Sequence, residues 1–418
     1  MEIGKGESTY FNNWYRVGLF NLLLVSSIGL LLRFKMAASL PGVNHKYFLH
    51  GHSHFAFSGW ISLVLMTAII QRIHNNGTAT PLKPVFKYIL WAQLLTAYGM
   101  LFSFPVMGYA PISIAFSTLS ILVSYAFVWT VWKDCNARVW GSSTASNSIK
   151  AAMAFMVISS FSAFWLATLM GTHSPSQFYY FTALYFFLHF QYNGWFFFGI
   201  VGLWLTMLPK GATEASGGLN KGVKWMIASC IPAAALSCLW MKVPAWVYLI
   251  SVIAALIQFG AIVVAWNPVK KLIPAWAPGL SKTQKVLLSI AAFSFLLRIV
   301  LQAFSTIPML TKFGFAYRPV VIGYLHLILL GCISMFLFSY LMGKNLWQKR
   351  QSMANLAIGV FLVGLFLNEL TLMGQGLGYI GWINIPYTNE VLLGAAAFLF
   401  TGLLLLNVSA QNGPQKID

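Results

Sequence analysis

Charged residues are scarce in this chain: Asp, Glu, Lys and Arg make up 8% of its 418 residues, and only 7 of them are acidic. A soluble domain carries about 25% charged residues, because it must cover itself with solvated groups. Hydrophobic residues reach 59%, and the mean hydropathy is +0.74. The composition excludes a set of soluble domains and predicts one all-α bundle in a lipid bilayer, where each helix satisfies its own backbone hydrogen bonds.

Cysteine is scarce as well, and its spacing is uninformative. Cys135, Cys230, Cys238 and Cys332 form no CxxC pair, and three of them fall in predicted helices. Disulfide frameworks and thiolate metal sites depend on closely spaced or conspicuously paired cysteines. The sequence therefore indicates neither a disulfide framework nor a thiolate-bound metal.

Long apolar runs recur along the whole chain. About 20 residues cross a bilayer as a helix, and this length predicts about twelve membrane helices in a single transmembrane domain, residues 1–418. The predicted helices cover residues 17–34, 48–71, 84–104, 112–132, 151–171, 177–208, 223–241, 244–266, 286–307, 319–343, 352–373 and 388–408.

The net charge of +19 is spread over the loops. With the N-terminus placed inside, most of the 26 Lys and Arg residues fall in the inner segments, as the positive-inside rule requires. A nucleic-acid surface would concentrate its basic residues on one face, so nucleic acid is not predicted as a partner. The expected location is an inner (cytoplasmic) membrane, crossed many times, with both termini cytoplasmic.

Five histidines lie within predicted membrane helices, where ionisable residues are costly and mark functional sites. His50, His52 and His54 belong to the second helix, His189 to the sixth and His326 to the tenth. These helices run in the same direction, which places all five imidazoles in the outer half of the bundle. Two interpretations stay open: histidines that bind a metal or haem, and histidines that hydrogen-bond between helices.

Helical geometry separates the members of the triplet. His50 and His54 are four residues apart and share a face, whereas His52 points away. The sequence predicts that one of this pair, preferably His54, faces His326 across a haem plane, since helix bundles build cofactor sites from facing side chains. His45, His74 and His173 lie at helix ends or in loops and are predicted to be interfacial.

Two further charges fall inside predicted helices, Arg298 in the ninth and Glu369 in the eleventh. One interpretation is a buried Arg298–Glu369 ion pair that fixes helix packing. In the other, Arg298 neutralises haem propionates and Glu369 takes part in proton movement. The sequence does not choose between them.

Twelve helices with histidines in the second, sixth and tenth resemble the catalytic subunit of the haem-copper oxidase superfamily, which is cytochrome c oxidase subunit I-like and includes nitric oxide reductases. The segment His52-Ser-His54 followed by Gly59 also resembles the HxH-then-Gly motif of NnrS-type haem proteins. The resemblance covers most of the chain in topology and only short stretches in sequence.

The resemblance implies ligands at matching positions. His54 or His50 would be an axial ligand of a low-spin haem, and His326, five residues before Gly331, would be the other. Tyr324 stands where the family has the high-spin haem ligand: it is either a tyrosinate ligand or a packing and hydrogen-bonding tyrosine. His189 matches the ligand of copper or non-haem iron.

The chain departs from the family in one region. No histidine lies between His189 and His326, so the seventh-helix histidine pair is absent and the tri-histidine copper site cannot form. The resemblance then implies a b-type haem protein without the usual binuclear centre. Its role would be electron transfer, or the sensing or handling of a diatomic gas such as nitric oxide or oxygen, with a membrane or soluble electron donor.

Two alternatives remain. A divergent reductase of oxygen or nitric oxide would bind a second, non-haem metal, iron or copper, through His189 plus either Glu369 or one of the spare second-helix histidines. Tyr192 would also line this pocket. A transporter would use the histidines and Glu369 to relay protons or to coordinate a metal, although the two related halves common in transporters are not evident here.

Overall fold

A computed structural model describes residues 2–76, 81–172, 176–209, 211–212, 216–344 and 346–410. In this part of the chain the protein is all-helical, with 87% helix and no strand. The α-helices are α1 Glu2–Ala37, α2 His45–Phe55, α3 Leu63–Asn76, α4 Pro84–Met107, α5 Pro111–Trp132, α6 Ala137–Trp140, α7 Ser143–Gly171, α8 Gln177–Leu188, α9 Phe197–Leu205, α10 Gly217–Ala233, α11 Ala245–Trp276, α12 Lys282–Phe304, α13 Pro308–Ala316, α14 Arg318–His326, α15 Met335–Met342, α16 Gln351–Gly381 and α17 Thr388–Ser409.

Three π-helical segments join pairs of these helices. They are Ala56–Ser62 between α2 and α3, His189–Phe196 between α8 and α9, and Leu327–Ser334 between α14 and α15. Short 3₁₀ segments cover Ala234–Cys238, Ala277–Gly279 and Gln348–Arg350. Because a π-helical segment continues the helix on both sides, α2 and α3 form one span, His45–Asn76, and α14 and α15 form another, Arg318–Met342.

Among the described residues, ten helices are long and apolar enough to cross a membrane. They correspond to ten of the twelve predicted runs, and the protein is a multi-pass membrane protein. The two other runs are also helical but are not among these ten spans. In the run 223–241, helix α10 has only 17 residues. In the run 177–208, polar residues such as Gln191 and Asn193 interrupt the apolar sequence. The count of twelve membrane helices therefore stays a prediction.

Helix α4 shows why these helices need lipid. Its outward face carries large apolar side chains at helical spacing: Tyr88 and Trp91 are 72% and 61% exposed, and Leu95, Phe102 and Val106 follow on the same face. Its buried face holds the polar residues Gln93, Thr96 and Ser103. Such a distribution is costly in water and favourable in a bilayer, where interior polar groups bond to neighbouring helices.

The chain divides into two compact units, each described here by itself. Unit 1 comprises Met1–Thr67, Lys87–Ser120 and Leu337–Asp418. In it α1 packs against α2 and α17, and α17 packs along α16. Unit 2 comprises Ala68–Phe86 and Ile121–Phe336. There α7 packs against α8 and α9, α10 packs along α11, and α12 packs against the segment Leu327–Ser334.

Candidate functional site

The histidine triplet lies on α2, a helix with a well-formed start. The Asn44 side chain accepts hydrogen bonds from the backbone N–H groups of Lys46 and Tyr47 at 3.1 and 3.3 Å, and so caps α2. His50 and His54 then follow one helical turn apart, and the π-helical segment begins two residues after His54.

Glycines allow the end of α4 to approach α2 closely within unit 1. A Cβ atom added at Gly51 would lie 2.9 Å from Cγ of Pro105, and one added at Gly108 would lie 2.5 Å from Cε1 of Tyr47. Gly108 also has φ +60°, a left-handed conformation that ends α4. These contacts bring Tyr109, which follows Gly108, against the histidine face of α2.

His50 and His54 share this aromatic surface. The His54 ring stacks on Phe104 with centroids 4.4 Å apart and an angle of 7°, and its Nε2 lies 3.1 Å from the Tyr109 hydroxyl. The His50 ring meets Tyr109 edge-on at 4.7 Å. Among the described residues, the buried Nε2 atom of His50 has no hydrogen-bond partner. One imidazole nitrogen in this cluster therefore keeps an uncommitted lone pair or proton.

His52 lies on the opposite side of α2, as the helical period predicts. Its Nδ1 is 2.9 Å from the carbonyl oxygen of Val25 on α1. A Cβ atom added at Gly29 would lie 3.2 Å from its Cε1. His52 thus packs into α1 and takes the role of an interhelical hydrogen-bonder in unit 1.

In unit 2, both ring nitrogens of His189 are engaged. Its Nε2 donates to the Cys230 carbonyl oxygen at 2.9 Å, and its Nδ1 accepts from the Asn193 amide at 3.1 Å. The Cys230 Sγ atom lies 3.8 Å from the same Nε2. A metal could reach His189 only by displacing one of these bonds, so the contacts favour a structural role for this buried histidine.

Arg298 forms the centre of a second polar cluster in unit 2. Its side chain is 2% exposed, and its Cζ lies 5.4 and 5.7 Å from the ring centroids of Phe197 and Phe295. Nη2 donates to Gln302 Oε1 at 3.3 Å, and the guanidinium also interacts with the Tyr324 hydroxyl. This contact is the one expected of a hydrogen-bonding tyrosine.

Two other predicted site residues lie beside this cluster. The rings of Tyr192 and Tyr324 meet at 6.4 Å, edge to face. His189 lies three residues before Tyr192 in the same π-helical segment. Unit 2 therefore brings together four residues that the sequence singled out from three helices: His189, Tyr192, Arg298 and Tyr324.

Glu369 belongs to unit 1 and has its own partners there. Its Oε1 accepts from the Asn368 amide at 2.9 Å, and the carboxylate interacts electrostatically with Arg33 on α1. Arg298 and Glu369 lie in different units, so the predicted ion pair between them stays a prediction.

The remaining histidines occupy helix ends. His326 is the last residue of α14 and is half-buried, His45 is the first of α2, and His74 lies in the last turn of α3. His173 lies outside the described residues. His54 lies in unit 1 and His326 in unit 2. The expected placement of the two imidazoles on opposite sides of a haem therefore also stays a prediction.

Three of the five membrane histidines, His54, His189 and His326, lie at or next to a π-helical segment. This geometry is rare and is found frequently at functional sites. The segments begin at Ala56, two residues after His54, at His189 itself, and directly after His326. The sequence holds a signal of this geometry: a glycine follows five residues after each histidine, at Gly59, Gly194 and Gly331.

The π-helical segment after His54 is held by buried amides of unit 1. Gln93 Nε2 donates to the Ser58 carbonyl oxygen at 3.0 Å, and Asn21 Nδ2 donates to the Gly59 carbonyl oxygen at 2.7 Å. The Tyr98 hydroxyl bonds to Asn21 Oδ1 at 2.9 Å. These bonds satisfy carbonyl groups in a backbone that departs from the α-helical pattern. They also hold in place the helical segment that follows His54.

In the described part of the chain, no three His, Cys, Asp or Glu residues are grouped as a metal site. The fold and the two clusters define a multi-pass membrane protein with buried and half-buried imidazoles packed among aromatic side chains. Comparisons with protein-family models and with curated proteins find no match to the chain.

Proposed function

We propose that this protein binds a b-type haem. It adopts the haem-copper oxidase-like fold and lies in an inner membrane, with both termini on the cytoplasmic side. Either His50 or His54 supplies one axial imidazole. The observation that carries the proposal is the Nε2 atom of His50, which is buried and lacks a hydrogen-bond partner among the described residues. Buried polar atoms are nearly always satisfied, so one that is not needs an explanation, and a bound ligand would supply it.

The chemistry of the cluster fits an iron ligand. Iron in haem takes neutral imidazole readily, and His50 offers a nitrogen that no other described group uses. His54 offers its Nε2 only if the Tyr109 hydroxyl turns away. The stacked Phe104 ring covers the face of the His54 imidazole and leaves the ring edge, where Tyr109 contacts Nε2, uncovered. His50 is the less committed donor, and His54 is the one that the resemblance favours.

The other roles follow the sequence argument alone. His326 is the proposed second axial ligand, and Glu369 is proposed to take part in proton movement. A bound haem would supply a one-electron redox centre and, with one axial position open, a site for nitric oxide or oxygen. Electron transfer, or the handling or sensing of such a gas, is the proposed role.

The proposal is tested by the absorbance spectrum of the full chain purified in detergent from haem-replete cells. We expect the reduced protein to show the α-band of a six-coordinate b-type haem, with pyridine haemochrome quantitation near one haem per chain. Variants His50→Ala, His54→Ala and His326→Ala identify the ligands. We expect His326→Ala and one of the two α2 variants to lose most of the haem.

His74→Ala serves as the matched control, because it removes a half-buried imidazole from the last turn of α3, away from the cluster. It should keep the wild-type haem content. A wild-type protein that is monodisperse and colourless would refute the proposal. Retention of haem in both α2 variants would refute the assignment to His50 or His54.

A further inference from the structure

Arg298 is a positive charge in the interior of a membrane span. Helix α12 crosses as Lys282–Phe304, and the Arg298 side chain is 2% exposed. The stacked rings of Phe197 and Phe295, with centroids 4.8 Å apart, lie against the guanidinium. Arginine stays protonated in proteins, so this site holds a permanent cation.

The charge lacks a carboxylate partner in the described part of unit 2. The sequence of that unit contains two acidic residues, Asp134 and Glu214. Asp134 is 3.5 Å from the Lys83 ammonium, and Glu214 lies outside the described residues. Gln302 and Tyr324 supply only neutral contacts to the guanidinium.

One donor of the guanidinium is unused as well. Among the described residues, the buried Nε atom of Arg298 has no hydrogen-bond partner. A buried charge without a counter-charge is costly, and an unsatisfied buried donor adds to that cost. Cation–π attraction offsets only part of it. A bound anion would answer both deficits without the Arg298–Glu369 ion pair that the sequence also allows.

We infer that the Arg298 cluster is a binding site for one small, planar, monovalent oxyanion such as formate, nitrite or bicarbonate. A single guanidinium requires one negative charge, and its flat fork bonds best to two oxygens in one plane. The hydroxyl of Tyr324, which accepts a hydrogen bond from Arg298, keeps its own proton and is a further donor to such an anion. The site acts independently of whether haem binds elsewhere in the protein.

A carboxylate of a bound haem would offer the same chemistry, so the test has to separate the two sources. The full chain is purified in detergent in a carboxylate-free buffer, and its haem content is measured. Sodium formate is then titrated against sodium gluconate at constant ionic strength while Tm is recorded. We expect a saturable rise in Tm of about 2 °C or more with formate and no such rise with the bulky gluconate.

Gln302→Glu is the decisive variant. It places a carboxylate where Gln302 Oε1 now accepts from Arg298, so the chain supplies its own counter-charge. We expect a higher Tm without added anion and no response to formate. Arg298→Gln should lose the response too, and Lys285→Gln, which removes an exposed charge from the same helix, should keep it.

The inference fails if wild-type protein shows no saturable formate response, or if Gln302→Glu retains that response. It also fails if formate has no effect while Arg298→Gln loses haem, since the anion would then be a haem carboxylate. Should Arg298→Gln not fold, the comparison of Gln302→Glu with Lys285→Gln still decides.

Discussion

The Nε2 atom of His54 lies 3.1 Å from the hydroxyl of Tyr109, which lies in the link between α4 and α5. Tyr109 also meets the His50 ring edge-on. One phenol therefore contacts both histidines of the shared face, and its hydroxyl competes with any iron for the nitrogen of His54.

Tyr109→Phe should show whether the hydroxyl competes with iron for the His54 nitrogen or helps to bind the haem. Removal of the hydroxyl costs about 1 kcal/mol of stability in the haem-free protein, but it leaves His54 Nε2 uncommitted. We expect a slightly lower Tm and a haem content at least as high as in wild type. The measurement is pyridine haemochrome quantitation together with thermal unfolding.

The control is Tyr47→Phe, which removes a hydroxyl from a tyrosine on α2 whose ring packs near Gly108. It should leave haem content unchanged. A fall of haem in Tyr109→Phe to the level of His54→Ala would mean that the hydroxyl is part of the binding site.

Asn193→Ala should expose the structural role of His189. The substitution removes the donor to His189 Nδ1 and leaves a buried acceptor unsatisfied, at a cost of about 1–3 kcal/mol. We expect a clear fall in Tm, with no change in the iron or copper content measured by mass spectrometry. Loss of a metal in either Asn193→Ala or His189→Ala would favour the second-metal hypothesis instead.

Glycine substitutions should test the packing of α16 along α17. A Cβ atom added at Gly364 would lie 2.7 Å from the Leu399 nitrogen, and one added at Gly402 would lie 2.6 Å from the Phe361 nitrogen. A backbone atom cannot move away without shifting the helix to which it belongs. Gly364→Ala and Gly402→Ala should therefore each lower the free energy of unfolding by about 1–3 kcal/mol.

Gly394 provides the matched control, because it lies on α17 and a Cβ atom there meets nothing within 4 Å. Gly394→Ala should be neutral or stabilise the helix by up to about 1 kcal/mol. Equal thermal shifts in all three variants would show that the close approach of the two helices does not limit stability.

Cys135 should be an unreactive thiol. It lies between two membrane spans, and burial raises its pKa from 9.0 to about 12. The folded state therefore holds the proton up to higher pH than the unfolded state, and this contribution to stability is lost as pH rises from about 9 to about 12. At pH 8 we expect alkylation on the order of 1,000-fold slower than at an exposed cysteine.

Lys133→Cys gives that exposed comparison, since Lys133 lies two residues away on the surface. Peptide mapping after timed alkylation measures both sites in one sample. Similar rates at positions 133 and 135 would contradict the burial of Cys135.

Most of the membrane helices could be predicted from the sequence, because a bilayer imposes a simple rule. Each helix must be about 20 residues long and apolar where it meets lipid, and ten predicted runs coincide with helices able to cross a membrane in the described part of the chain. The helical period also placed His52 opposite to His50 and His54, since residues four apart share a face.

The sequence did not reveal the partners of those histidines. Phe104 and Tyr109 are ordinary aromatic residues in an aromatic-rich chain, and they meet α2 only because Gly51 and Gly108 permit close approach. The π-helical segments were equally hidden, although the recurring glycine five residues after His54, His189 and His326 is a signal of them.

The sequence by itself determined that this is a membrane protein of many helices with rare ionisable groups inside, because hydropathy and helical period are local properties. Tertiary structure decided which of those groups are satisfied. His189 is bonded at both nitrogens, whereas His50 and Arg298 each keep a buried atom without a partner among the described residues. Hydrogen bonding depends on side chains far apart in sequence, and so only the packed helices could distinguish these three residues.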